Sequence, residues 1–283
     1  MPRRSAVAAT ALLAVLLAPP LGRAAPMVAA PANPPAVARD ATQPEPVKAT
    51  PEERAAADRM APLAQAAFWG REAQIDPTDA EAGVKLSVAL RALGQYDAAV
   101  QSASRVLVLD PKNFDAMMEI ARAEVAAGQG FYAIDPLQRA QALAPKDWRP
   151  LSVLGIAYAE VRRGQDAQTA WRAALALSPD NPSVLSNMAM EMAADGDAAG
   201  AEPLLRRAAA QPAASLTVRQ DLTLVLGLEG KLGEAETLLR QDLPPDQADA
   251  DLAYLQAVYA GRGSGESTAA APRTWESMKN GGS

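Results

Sequence analysis

The stretch Trp148 to Pro179, WRPLSVLGIAYAEVRRGQDAQTAWRAALALSP, decides how the rest of the chain is read. Its closing proline belongs to a series. Pro77, Pro111, Pro145 and Pro179 stand 34 residues apart, and Pro212 and Pro245 follow at spacings of 33. Three of them end similar text: Gln74-Ile75-Asp76-Pro77, Val108-Leu109-Asp110-Pro111 and Ala176-Leu177-Ser178-Pro179. A period of about 34 residues is the length of one helix–turn–helix unit, so the chain reads as an array of such units.

The interior of each unit agrees. With starts at Ala80, Phe114, Trp148, Pro182 and about Leu216, small residues recur where paired helices must touch. One row is Ala99, Ala133, Ala167, Ala201 and Ala235; a second is Ala140, Ala174 and Ala208, with Val106 in the first unit. Leu86, Ile120, Leu154, Met188 and Leu222 form a row of large apolar residues in the first helix. Gly94, Gly128, Gly196 and Gly230 fall between the two helices, where a left-handed backbone favours glycine. The third unit has Gly164 two residues late, so a different turn is expected there. Helix starts are marked by Thr50-Pro51-Glu52-Glu53 and Thr78-Asp79-Ala80-Glu81, read as capping boxes, and by Asn113, Asp147 and Ser215. Asn181-Pro182 puts proline at the first helical position, where no amide hydrogen is needed.

Leu154-Gly155, Tyr158, Ala167, Ala174 and Pro179 resemble the consensus of the tetratricopeptide repeat (TPR) family. The resemblance implies an all-α fold, a TPR superhelix, which is a solenoid of helix–turn–helix repeats. It covers about residues 51–260. Residues 51–79 read as a partial capping repeat, and 80–260 as about five repeats plus a closing helix from Gln247. Such ends are needed because a repeat buries its apolar face only against its neighbours.

Composition narrows the chemistry. The chain has no Cys, which removes disulfides, thiol nucleophiles, Cys-ligated metal and a lipid-modified cysteine. It has no His, so the commonest general base and metal ligand are missing too. The expectation is a protein that is not an enzyme and holds no cofactor. A net charge of −6 argues against nucleic acid, which calls for a basic face.

Residues 1–24 read as a secretory signal peptide. Arg3 and Arg4 precede a 13-residue apolar run from Ala6 to Ala18, broken by Pro19-Pro20 and followed by Gly22-Arg23-Ala24. That run is too short to span a bilayer, so no stable membrane insertion is expected after cleavage. The expected location in a two-membrane bacterium is the periplasm. Residues 25–50, rich in Pro and Ala, read as a disordered linker, and 261–283 as a flexible tail. Trp275 and Met278 in that tail read either as a short docking motif or as inert terminal residues.

Other motifs carry less. Gly227-Leu228-Glu229-Gly230-Lys231 is too short for a phosphate loop and lacks the following Ser or Thr. Gly261-Arg262-Gly263-Ser264-Gly265 follows no strand and does not make a dinucleotide fingerprint. Asp246, Asp249 and Asp251 suit the opening turn of a helix as well as they suit a metal.

The working surface expected of a TPR array is its concave groove, lined by the first helix of each repeat. By register it includes Arg91, Met118, Arg122, Arg149, Ser152, Ile156, Ser186, Met190 and Gln220, suited to an extended or helical segment of a partner. A narrower resemblance lies in the last third. Val218-Arg219-Gln220-Asp221-Leu222-Thr223-Leu224-Val225-Leu226-Gly227-Leu228-Glu229-Gly230-Lys231, then Asp242-Leu243-Pro244-Pro245 and Ala253-Tyr254-Leu255, is similar to the TadD family. Those are the TPR proteins of the tight-adherence (Tad/Flp) pilus assembly system. Asp221 and Thr223 stand where that family's pattern has Asn and Ala, and the cysteine of its lipoprotein members is absent. The resemblance implies an exported scaffold that contacts a pilus secretin, its pilotin or a pilin, with no small-molecule substrate. The alternative is a general periplasmic TPR adaptor, for example in cytochrome maturation or peptidoglycan synthesis.

Overall fold

The computed structural model describes residues 47–263. The expected leader at 1–24, all but the last four residues of the expected linker at 25–50, and Trp275 and Met278 lie outside that range. The described residues are all-α and fall in one compact unit. Two helices, α1 (Pro51–Ala57) and α2 (Pro62–Ile75), precede five pairs. The pairs are α3 (Ala80–Ala92) with α4 (Tyr96–Leu109), α5 (Phe114–Ala126) with α6 (Gly130–Leu143), α7 (Trp148–Glu160) with α8 (Gly164–Leu177), α9 (Pro182–Ala194) with α10 (Ala198–Ala209), and α11 (Leu216–Leu228) with α12 (Leu232–Asp242). The last helix, α13 (Pro245–Gly263), opens on a proline and runs through Gly261, the residue expected to begin the tail. A glycine inside a helix costs about 1 kcal/mol and does not by itself end it.

Each first helix starts on a capping side chain, and the caps keep the period: Asp79, Asn113, Asp147, Asn181 and Ser215. Each accepts a hydrogen bond from an amide of the first turn, for example Ala116 N to Asn113 Oδ1 at 2.9 Å. Thr50 forms the expected capping box with Glu53. Thr78 does not. Helix α3 begins one residue later than that motif requires, so Asp79 is its cap, while the Thr78 hydroxyl donates to Asp76 and Glu81 pairs with Arg54.

The turns between paired helices also repeat. Gly94, Gly128, Gly196 and Gly230 have φ of 72°, 72°, 96° and 79°. The third turn, expected to differ, keeps the same form. Arg162 takes the left-handed position with φ of 62°. The amide of Arg163 donates to the Tyr158 carbonyl at 2.8 Å, as Gln95 does to Leu90 and Gln129 to Glu124. This is one helix-ending motif, in which the third residue past the helix closes back onto its last turn. Register with the neighbouring repeats holds the turn shape even where no glycine relieves it.

Packing explains the two alanine rows. Ala99, Ala133, Ala167, Ala201 and Ala235 are fully buried, as are Ala140, Ala174 and Ala208. Any longer side chain there would push paired helices apart. A third buried row, Ala103, Leu137, Trp171, Leu205 and Leu239, supplies the bulk between them. Trp171 fits because Gly155 lies beneath it; a Cβ at Gly155 would intrude into the indole. Its Nε1 donates to the Ser152 carbonyl at 3.1 Å.

Successive first helices also touch one another, α3 on α5, then α7, α9, α11 and α13. The second helices do not pair off in this way among the described residues. The first helices therefore converge on the inner wall and the second helices form the outer one.

The amino-terminal end is closed by charge. Glu72 is fully buried and accepts from the Ala49 amide and from Arg54 Nη2, the latter at 2.8 Å. Arg54 also bonds Asp79 and Glu81, and Lys48 pairs with Asp76. These contacts fasten Val47 to Thr50, the end of the expected linker, onto α2.

Candidate protein-binding groove

The first helices bring the candidate residues onto one face but treat them differently. Arg91 and Arg122 are partly exposed, and both are committed to one acceptor. Arg91 Nε donates to Glu119 at 2.9 Å and Arg122 Nη1 at 2.6 Å. Glu119 itself is only 3% exposed. Arg149 is exposed, grips Asp147, and lies 5.2 Å over the Phe114 ring. The Arg149 guanidinium holds the Asp147 carboxyl below the usual carboxylate range, against a smaller opposing effect of burial. Ile156, Met190 and Gln220 are partly exposed, and so available to a partner.

Three of the expected residues have little surface to offer. Met118 is 2% exposed and belongs to the central core with Leu137 and Trp171. Ser152 is 5% exposed beneath Trp171, and Ser186 is 4% exposed. All three occupy the fifth position of a first helix, which is covered in the three middle repeats but leaves Val84 and Gln220 partly exposed in the outer two; the ninth position, held by Arg122, Ile156 and Met190, stays open.

The sixth position, absent from the sequence reading, is informative. Its occupants are Lys85, Glu119, Val153, Asn187 and Asp221, again 34 apart. Glu119 is saturated by two arginines. Asp221 accepts the Ser186 hydroxyl, at 2.5 Å. Burial pushes the Asp221 carboxyl up, and the Ser186 hydroxyl offsets part of that. The 34-residue row alone reveals that two acids share one inward register, though not which of the two is paired.

A cleft of about 680 Å³ between α8 and the end of α9 is lined by Arg162, Gln165, Gln168, Arg172, Glu191 and Asp195 among others, a mixed polar set with no nucleophile–base pair. Among the described residues no group of carboxylates converges on a metal position. Asp249 pairs with Arg240, and Lys231, the lysine of the glycine pair, pairs with Glu202. No helix of the described residues is long and apolar enough to cross a membrane.

No family model and no curated protein matches the chain by sequence. Solved structures do match. A thermophilic TPR protein of Thermus thermophilus is 23% identical with a TM-score of 0.55, over 62% of this chain and 98% of that one. MamA from Desulfovibrio magneticus, also 23% identical, gives a TM-score of 0.49 over 56% and 89%. With the 34-residue period, the repeated caps and the buried alanine rows, the first of these likenesses identifies the fold as that of the TPR proteins.

Proposed function

We propose that this chain is an exported, non-catalytic scaffold that binds protein partners during the assembly or secretion of a Flp-type (Tad) pilus. The observation that carries the scaffold is the inner wall of first helices. It offers Ile156, Met190 and Gln220 as partly exposed contacts on helices held rigidly by their neighbours. A wall of this kind presents apolar and polar side chains in fixed register to an extended or helical segment. The absence of His and Cys supports a role without turnover.

The pilus assignment is supported by the likeness of residues 218–255 to the TadD family, and export by the character of residues 1–24. The partner is a secretin, pilotin or pilin component, and the working compartment is the periplasm. Deleting the gene is expected to remove surface pili while growth continues at the parental rate. Electron microscopy of the deletion strain, with growth curves alongside, checks this. Intact pili would refute the pilus role, and a respiratory or cell-wall defect with normal pili would favour an adaptor in another envelope complex.

A further inference from the structure

Among the described residues, Asp221 is the one sixth-position acid of the inner wall that its own fold leaves without a cation. Glu119, at the same position three repeats earlier, meets Arg91 and Arg122. Asp221 is partly buried between α9 and α11, and its partner is the hydroxyl of Ser186 at 2.5 Å. The nearest arginine in sequence, Arg219, is tied to Asp242 on α12 through its Nε, at 2.9 Å to each carboxylate oxygen. Its neighbours at equivalent or adjacent positions, Asn187 and Gln220, carry no charge.

A desolvated carboxylate with one neutral donor is an unfavourable arrangement in a free protein. It becomes favourable when a cation from outside completes it, and such a pair then discriminates strongly against partners that lack the charge. The surroundings define the rest of the ligand. Met190, one turn beyond Ser186 on α9, is partly exposed and apolar.

We infer that the part of the groove between α9 and α11 recognises a lysine or arginine of the bound protein segment, received by Asp221 and accompanied by an apolar residue that meets Met190. This rests on the groove being the binding surface, as proposed above. Burial pushes the Asp221 carboxyl up, more than the Ser186 hydroxyl offsets, and a cation brought by a partner would oppose that shift.

The test is selection of phage-displayed random dodecapeptides on the immobilised full chain, followed by titration of a selected peptide and its Lys→Gln or Arg→Gln twin. The expected result is a motif with one basic residue next to an apolar one. The twin should bind about tenfold or more weakly, and Asp221→Asn should impose the same loss on the parent peptide while adding none to the twin's. Ser186→Ala, which removes the hydroxyl and keeps the carboxylate, should retain the preference, and thermal melts of both variants check that the fold is intact. Motifs without a basic residue, or equal binding by Asp221→Asn, overturn the inference and leave the groove standing. Failure to enrich any peptide overturns both.

Discussion

At the scale of single residues, the repeat shows its strength where it overrides local preference. Arg162 holds a left-handed backbone that its side chain disfavours, in a turn whose four counterparts use glycine. Left-handed non-glycine residues cost about 1–3 kcal/mol. Arg162→Gly is therefore expected to stabilise the protein by about 1 kcal/mol, seen as a higher urea midpoint at unchanged slope. An unchanged or lower midpoint would mean that Arg162 contributes contacts outweighing its strain. Asp221 provides a second expectation. Its carboxyl is raised above the usual range, chiefly by burial. The unfolded chain thus releases this proton at lower pH than the folded one, and stability falls as pH rises through the carboxylate range. Asp221→Asn removes the penalty, so the variant should gain stability over the parent as pH is raised from about 3 towards 7, with the difference smallest at the acid end. A gap that is constant with pH would show that the two residues differ only in packing.

Elements show which features are legible in the sequence. The five first-helix starts, the glycine turns and the alanine rows follow from a 34-residue period visible in the chain. The burial of Met118, Ser152 and Ser186 is not legible in this way, because the same fifth position leaves Val84 and Gln220 partly exposed near the two ends of the array, so register alone does not set exposure. Thr78 misleads for a smaller reason: either of two adjacent residues suits a cap, and the helix starts from Asp79. The buried Glu72 carries no signal at all, since a lone glutamate in an amphipathic helix reads as a solvated face. In the fold it is the clasp between α1, α2 and the segment Val47 to Thr50. Glu72→Gln removes a fully buried carboxylate partner from Arg54 and is expected to cost about 3 kcal/mol. Because repeats are coupled mainly to their neighbours, the loss should concentrate at the amino-terminal end. Hydrogen exchange should show faster exchange in α1 and α2 with little change in α9 to α12. Uniform acceleration would indicate that the whole array unfolds as one unit.

For the molecule as a whole, the same architecture sets both stability and function. Rows of buried alanines hold the paired helices close, and the inner wall presents its side chains in a repeated register. Charges are mostly settled within the fold, as in the Arg91–Glu119–Arg122 and Lys231–Glu202–Arg206 groups. In the function proposed above, the partner meets a partly apolar strip around Ile156 and Met190, with Asp221 beside it. The most direct test of the scaffold is a photo-crosslinking residue placed at Ile156 on the inner wall, with a second at Gln101 on the outer helix α4, each in the native envelope. The account predicts that Ile156 captures a pilus secretin, pilotin or pilin component and that Gln101 does not. Capture of those components from Gln101 alone, or from neither position, would contradict it.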